Sequence, residues 1–141
     1  MRIIYLFIAS MLLSCANHEP KDLIPLLNGY WEISQVEMPE GSIKEFTVNA
    51  NVDYLMLTTD STGIRKKLAP KLDGTFAQTK SAEKFTIRIN KDSLILNYQT
   101  PFSQWQEVVT QATEEYLILK NSEGVIYTYK KYTPVNILIN E

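Results

Sequence analysis

The chain has almost none of the side chains that enzyme chemistry most often draws on. Its 141 residues include one cysteine and one histidine. A single cysteine rules out an intramolecular disulfide. The histidine, His18, precedes every segment that reads as folded. No Ser-His-Asp or Cys-His arrangement can therefore form inside a domain, and zinc sets rich in Cys and His are excluded with it. No loop has the acidic spacing of a hard-cation site, and no Gly-rich loop offers a phosphate cradle. Charge of one sign is missing too, with 14 basic residues against 16 acidic ones. That balance gives no footprint for nucleic acid. The expectation is a protein that is not an enzyme and holds no metal or cofactor.

Long apolar runs are also missing. Ile3–Leu13 is interrupted only by Ser10 and is preceded by Arg2. It falls short of the roughly 20 residues a membrane-spanning helix needs and fits the apolar core of a secretory signal. The run ends in Leu12-Leu13-Ser14-Cys15, which resembles the bacterial lipobox. That resemblance implies cleavage before Cys15, a diacylglyceryl group on its thiol and acylation of the new amino group. It also accounts for an odd cysteine in an exported chain. Each buried methylene contributes ~0.8 kcal/mol, so two or three acyl chains hold a protein firmly to a membrane. Residues 1–14 thus read as a lipoprotein signal peptide, 15–22 as acylated cysteine and polar tether, and 23–141 as one domain. Ala16 and Asn17 follow the cysteine. In the best-known sorting rule for such proteins an Asp there retains the protein at the inner membrane. Its absence points to the outer membrane of the cell envelope.

The rest of the chain is short alternating segments and tight turns. Asp22–Leu27 reads as one helical turn with Asp22 as its cap. Gly29 then breaks the chain into strands, the first being Tyr30–Val36 with Trp31 and Ile33 on one face. Further strands are expected at Val52–Thr59, Ile64–Ala69, Thr75–Thr79, Phe85–Ile89, Leu94–Gln99, Gln104–Gln111, Tyr116–Lys120 and Val125–Tyr132, with another at Val135–Ile139. Asp73-Gly74 marks a hairpin, and Ser81–Lys84 reads as a turn. Strands about 8–12 residues apart, with turn residues between them, argue an all-β barrel or sandwich. Connections this short favour antiparallel neighbours, and closing the meander removes its edges.

The Gly29-Tyr30-Trp31 opening, the short turn before it and the up-and-down meander together resemble the lipocalins, a calycin-type barrel family. More closely, the chain resembles the short lipocalin-like lipoproteins of Bacteroidetes-type bacteria, over about Leu26 to Tyr132. The resemblance implies an antiparallel up-and-down β-barrel with a short N-terminal helical turn. Gly29 would let the chain enter the barrel tightly, and Trp31 would pack across the closed end. A basic residue near the end of the last strand, Lys130 or Lys131, would cover the tryptophan, where the family usually has arginine.

Met56, Phe85, Ile87, Leu96, Tyr98 and Trp105 form an apolar stripe at period two. The stripe either lines a cavity for a small hydrophobic ligand or fills a solid core, since small barrels can fill themselves. Glu107 shares a strand face with Trp105. If both point inward the carboxylate needs a partner, and Arg65, Lys66, Lys67 and Arg88 are the candidates. Glu107 then either orients a ligand headgroup or makes a structural ion pair. The sequence therefore supports a monomeric, membrane-anchored barrel binding a small hydrophobic molecule. A filled barrel working through its surface on another envelope component is the alternative.

The lipobox generates a direct expectation. Cys15→Ala should leave an uncleaved or mislocalised precursor and should abolish incorporation of an alkyne fatty acid. Equal labelling of wild type and variant would remove the anchor.

Overall fold

Gly29 enters the first strand at φ 133°, in the region where only glycine is comfortable. A side chain there would also overlap the Lys131 ammonium. This is a computed structural model, and it describes residues 19–134, without the side chains of 78–81. The signal segment, Cys15, His18 and the expected strand at Val135–Ile139 lie outside the described residues.

Nine strands follow in sequence: β1 (Gly29–Glu37), β2 (Ile43–Glu45), β3 (Val52–Leu57), β4 (Thr62–Pro70), β5 (Phe76–Asn90), β6 (Ser93–Gln99), β7 (Gln104–Ala112), β8 (Tyr116–Asn121) and β9 (Ile126–Lys131). From β3 onward each pairs antiparallel with the next, and β9 returns to β1 from Trp31↔Lys131 to Glu37↔Ile126. The result is a closed antiparallel barrel of eight strands, β1 and β3–β9. β2 lies outside that circuit. It extends the far end of the β1 edge, pairing at Gln35–Glu37 after β3 has paired at Gly29–Trp31. The Asn49 side chain closes the gap between them by donating to the Ile33 carbonyl at 2.9 Å.

Two local expectations are corrected. The single turn at Asp22–Leu27 is two 3-10 turns, Pro20–Leu23 and Pro25–Leu27, and Asp22 lies inside the first rather than capping it. Each opens on a proline, and Pro25 has no N–H with which to continue the preceding turn. The turn at Ser81–Lys84 is also absent, because β5 runs 15 residues without a break. Lys66 pairs with Ala82 and Leu68 with Gln78, so three residues of β5 face the single Lys67. This is a bulge, and its small and charged residues carry the same composition as a turn.

The first 3-10 turns and Trp31 close one end of the barrel. Leu27 and Trp31 are fully buried, and the indole Nε1 donates to the Leu27 carbonyl at 2.8 Å. Lys131 is the basic cover. Its ammonium lies 4.3 Å from the Trp31 ring centre and donates to the Asn28 carbonyl at 2.8 Å. Lys130 points outward to Glu32. Beyond Trp31 the interior fills with Leu55, Phe85, Leu94, Leu96, Val109, Leu117 and Leu119. Gly63 makes room for Phe85, whose ring edge occupies the place of a Cβ. On the outer face, Tyr30 stacks on its cross-strand partner Tyr54 at 4.6 Å and on Phe76 at 4.9 Å. Past the bulge, the β4–β5 hairpin therefore lies back against the outside of β1 and β3.

Trp31→Ala should cost roughly 3–5 kcal/mol, as for other buried aromatic truncations. Denaturant melts check this. A loss below about 1 kcal/mol would mean that the indole does not hold this end of the barrel.

Candidate functional site: a charged cup at the open end

Alternation along β3, β4 and β7 brings charge to the inner face near the β8–β9 turn. On β3, Asp53 shares the inner face with Leu55 and Leu57. On β4, Arg65 and Lys67 share it with Gly63, and on β7 Glu107 shares it with Trp105. Arg65 is the hub. Its Nε donates to Glu83 Oε2 at 2.8 Å and its Nη1 to Glu107 Oε2 at 3.2 Å. Its guanidinium lies over the Tyr98 ring, 4.6 Å from the centre. Tyr98 in turn stacks on Trp105 at 5.0 Å, nearly parallel. Arg65 and Glu107 are both buried. Such a pair gains Coulomb energy and loses solvation, so its value lies in its geometry and its additional hydrogen bonds.

Above this hub opens a cavity of about 360 Å³. Buried Arg65, Glu107 and Tyr129 line it with half-buried Asp53, Trp105 and Tyr127, and the exposed Lys67 and Glu123 stand at its edge. Burial pushes the Glu107 carboxyl up, although Arg65 draws it down. Asp53 is likewise raised by burial against the opposing pull of Arg65 and Lys67. The Tyr98 and Tyr129 phenols are raised by burial too. A second hollow, about 490 Å³, lies among Thr62, Gly63, Thr86, Asn97, Gln99 and Gln104 and reaches Phe85 and Tyr98. It holds no buried charge, and the chemistry concentrates in the cup.

The expected stripe does not form one surface. Phe85, Leu96 and Tyr98 do point inward, but they are 2%, 0% and 2% exposed. Leu96 is sealed in the core, while Phe85 and Tyr98, though nearly as buried, reach a separate hollow of about 490 Å³ rather than the cup. Ile87 points inward at the closed end, in a groove with Ile24, Pro25 and Ile89. Met56 is on the outer face, because its neighbours Leu55 and Leu57 occupy the core. Trp105 and Glu107 do point inward together, and only they reach the cup. Of the candidate partners, Arg65 binds Glu107, whereas Lys66 and Arg88 sit on the outer face opposite Tyr54 and Ile95. Sequence reasoning missed Asp53, Glu83, Tyr127 and Tyr129. The available signal was Asp53 alternating with Leu55 and Leu57, a carboxylate in phase with an apolar face.

No protein-family model matches the sequence, and no curated protein matches it. Among solved structures, the chain is similar to a lipocalin-like protein from Bacteroides uniformis at 12% identity and a TM-score of 0.48, over 76% of this chain and 99% of that one. It is similar to an uncharacterized protein from Bacteroides eggerthii at 13% identity and a TM-score of 0.47, over 75% and 99%. It is also similar to a de novo designed fluorescence-activating β-barrel at 12% identity and a TM-score of 0.46, over 79% and 98%.

The raised carboxyls generate a pH prediction. In the folded chain Asp53 and Glu107 lie above their ordinary values of 3.8 and 4.5, so the native state holds protons that the unfolded chain releases. The stability they contribute is fully present below the unfolded values and is lost as pH rises through the folded ones. Melting followed from neutral pH down toward those ordinary values should therefore show these two groups adding stability on acidification. The gain should flatten in Asp53→Asn/Glu107→Gln. An unchanged slope in that variant would mean that these groups do not titrate as described.

Proposed function

We propose that this lipocalin-like barrel binds a small molecule at its open end while an acylated Cys15 holds it to the outer membrane of a cell envelope. The observation that carries the reading is the cup itself. It combines a cavity of about 360 Å³, inside the range of small-ligand sites, with aromatic walls and a few convergent polar groups. Trp105 and Tyr127 would take the apolar body of the ligand, and Asp53 and Glu107 its polar end. The protein acts as a monomer and releases the ligand unchanged.

The anchor fits this arrangement. Glu19 leads straight into the 3-10 turns, and these pack on β3 and β6 at the closed end. A tether from Cys15 would therefore meet the barrel at the end opposite the cup, leaving the mouth turned away from the membrane. A second reading, a filled barrel acting through its surface, draws on Phe102 and Val48. These are 97% and 88% exposed in the β6–β7 and β2–β3 connections.

Native mass spectrometry of the mature protein, extracted from its own membrane, should show a small molecule retained by wild type. Trp105→Ala should lose it while keeping its melting transition. A bare acylated chain in both would sink the binding reading in favour of the surface one.

A further inference from the structure

The charges of the cup do not balance. Asp53, Glu107 and Glu123 line it with three carboxylates against Arg65 and Lys67, and Glu83 behind the lining already takes up part of the Arg65 charge. Arg65 has its Nε committed to Glu83 and its Nη1 to Glu107 and Tyr98. An anion entering the mouth would meet more carboxylate than cation. Aromatic lining acts in the same direction, since Trp105, Tyr127 and Tyr129 border the cup and an aromatic face carries negative π-density. Positive charge over such faces is attracted, most strongly over tryptophan. A concave site with low-dielectric walls concentrates the potential of one sign.

From this imbalance we infer that the mouth recognises a small organic amine, its ammonium drawn in by the carboxylate excess that Asp53, Glu107 and Glu123 give the lining and its apolar body lying against Trp105 and Tyr127. The inference rests on the mouth being the binding site. A bare metal ion fits poorly. Among the described residues no three Asp, Glu, His or Cys side chains lie close enough to share one. Carboxylates spread around an aromatic wall suit a larger cation that donates several hydrogen bonds and covers apolar surface. The volume, about 360 Å³, lies at the low end for ligand sites and suits a single-ring amine.

The test uses three ligands of one shape and different charge: benzylamine, benzyl alcohol and benzoate. Each is titrated into the full mature protein by calorimetry, with Trp105 fluorescence followed in parallel. Benzylamine should bind roughly tenfold tighter than benzyl alcohol, with benzoate weakest, as expected for a charge placed in a focused field. Two variants that leave the Arg65 pairs in place should move in opposite directions. Glu123→Gln should weaken benzylamine by roughly threefold, and Lys67→Gln should tighten it by a similar factor, each removing one charge from the lining. A merely structural role for these residues would not reverse sign between them. Tighter binding of benzoate or benzyl alcohol, lost in Trp105→Ala, would overturn the amine and leave the mouth as the site. Absence of binding by all three, or equal binding by wild type and Trp105→Ala, would overturn both.

Discussion

The return of β9 to β1 is the contact on which everything else depends. Until that ladder forms, the chain is an open sheet with two long edges and one apolar face in water. Once it forms, from Trp31↔Lys131 to Glu37↔Ile126, the same face becomes an interior. The seam is fastened at its foot by more than backbone bonds. The Lys131 ammonium covers the Trp31 ring and binds Asn28, and the indole binds Leu27. The start and the end of the barrel, about a hundred residues apart, thus meet at one side chain. A lysine does here what a planar guanidinium would do by stacking, using its stem for packing and its charge for the ring face.

With closure in place, one set of strands performs two different tasks along its length. β7 carries Val109 and Ala112 into the apolar core and Trp105 and Glu107 into the cup. β4 gives up a side chain at Gly63 so that Phe85 can fill the core, and two residues later supplies the buried Arg65. Solid packing on one side of Arg65 fixes its guanidinium, and that fixed guanidinium orients two carboxylates. The cup is preorganised because the core beneath it has no room to move.

Much of this was legible in the sequence, and the failures have physical causes. The barrel, its order and the role of Trp31 follow from turn spacing and alternation, signals that survive folding almost unchanged. Alternation assigns a residue to a face but not to a height along the strand. Leu96 and Trp105 therefore face the same interior, yet one is fully buried in the core and the other lines the mouth. Alternation also fails across bulges. Past the irregularity between Val109 and Gln111 the phase of β7 shifts, and Ala112 becomes buried where strict period two would leave it outside. Met56 failed for a different reason. Both faces of β3 carry large apolar residues, because the outer face lies under the returning β4–β5 hairpin, and hydrophobicity alone could not say which face was inside.

The seam also decides how the barrel responds to mechanical load. β1 begins and β9 ends at the same corner, where the Tyr132 amide donates to the Tyr30 carbonyl at 2.8 Å. A pull on the described segment at Glu19 would therefore enter near the foot of the seam. Tension between Glu19 and Pro134 would act across the ladder rather than along it, parting its hydrogen bonds one after another like a zip instead of all together in shear. The first elements to yield would be the Lys131 ammonium and the Trp31 indole. The closed end is thus the mechanical fuse of the molecule, and the cup at the far end would be the last to feel the force.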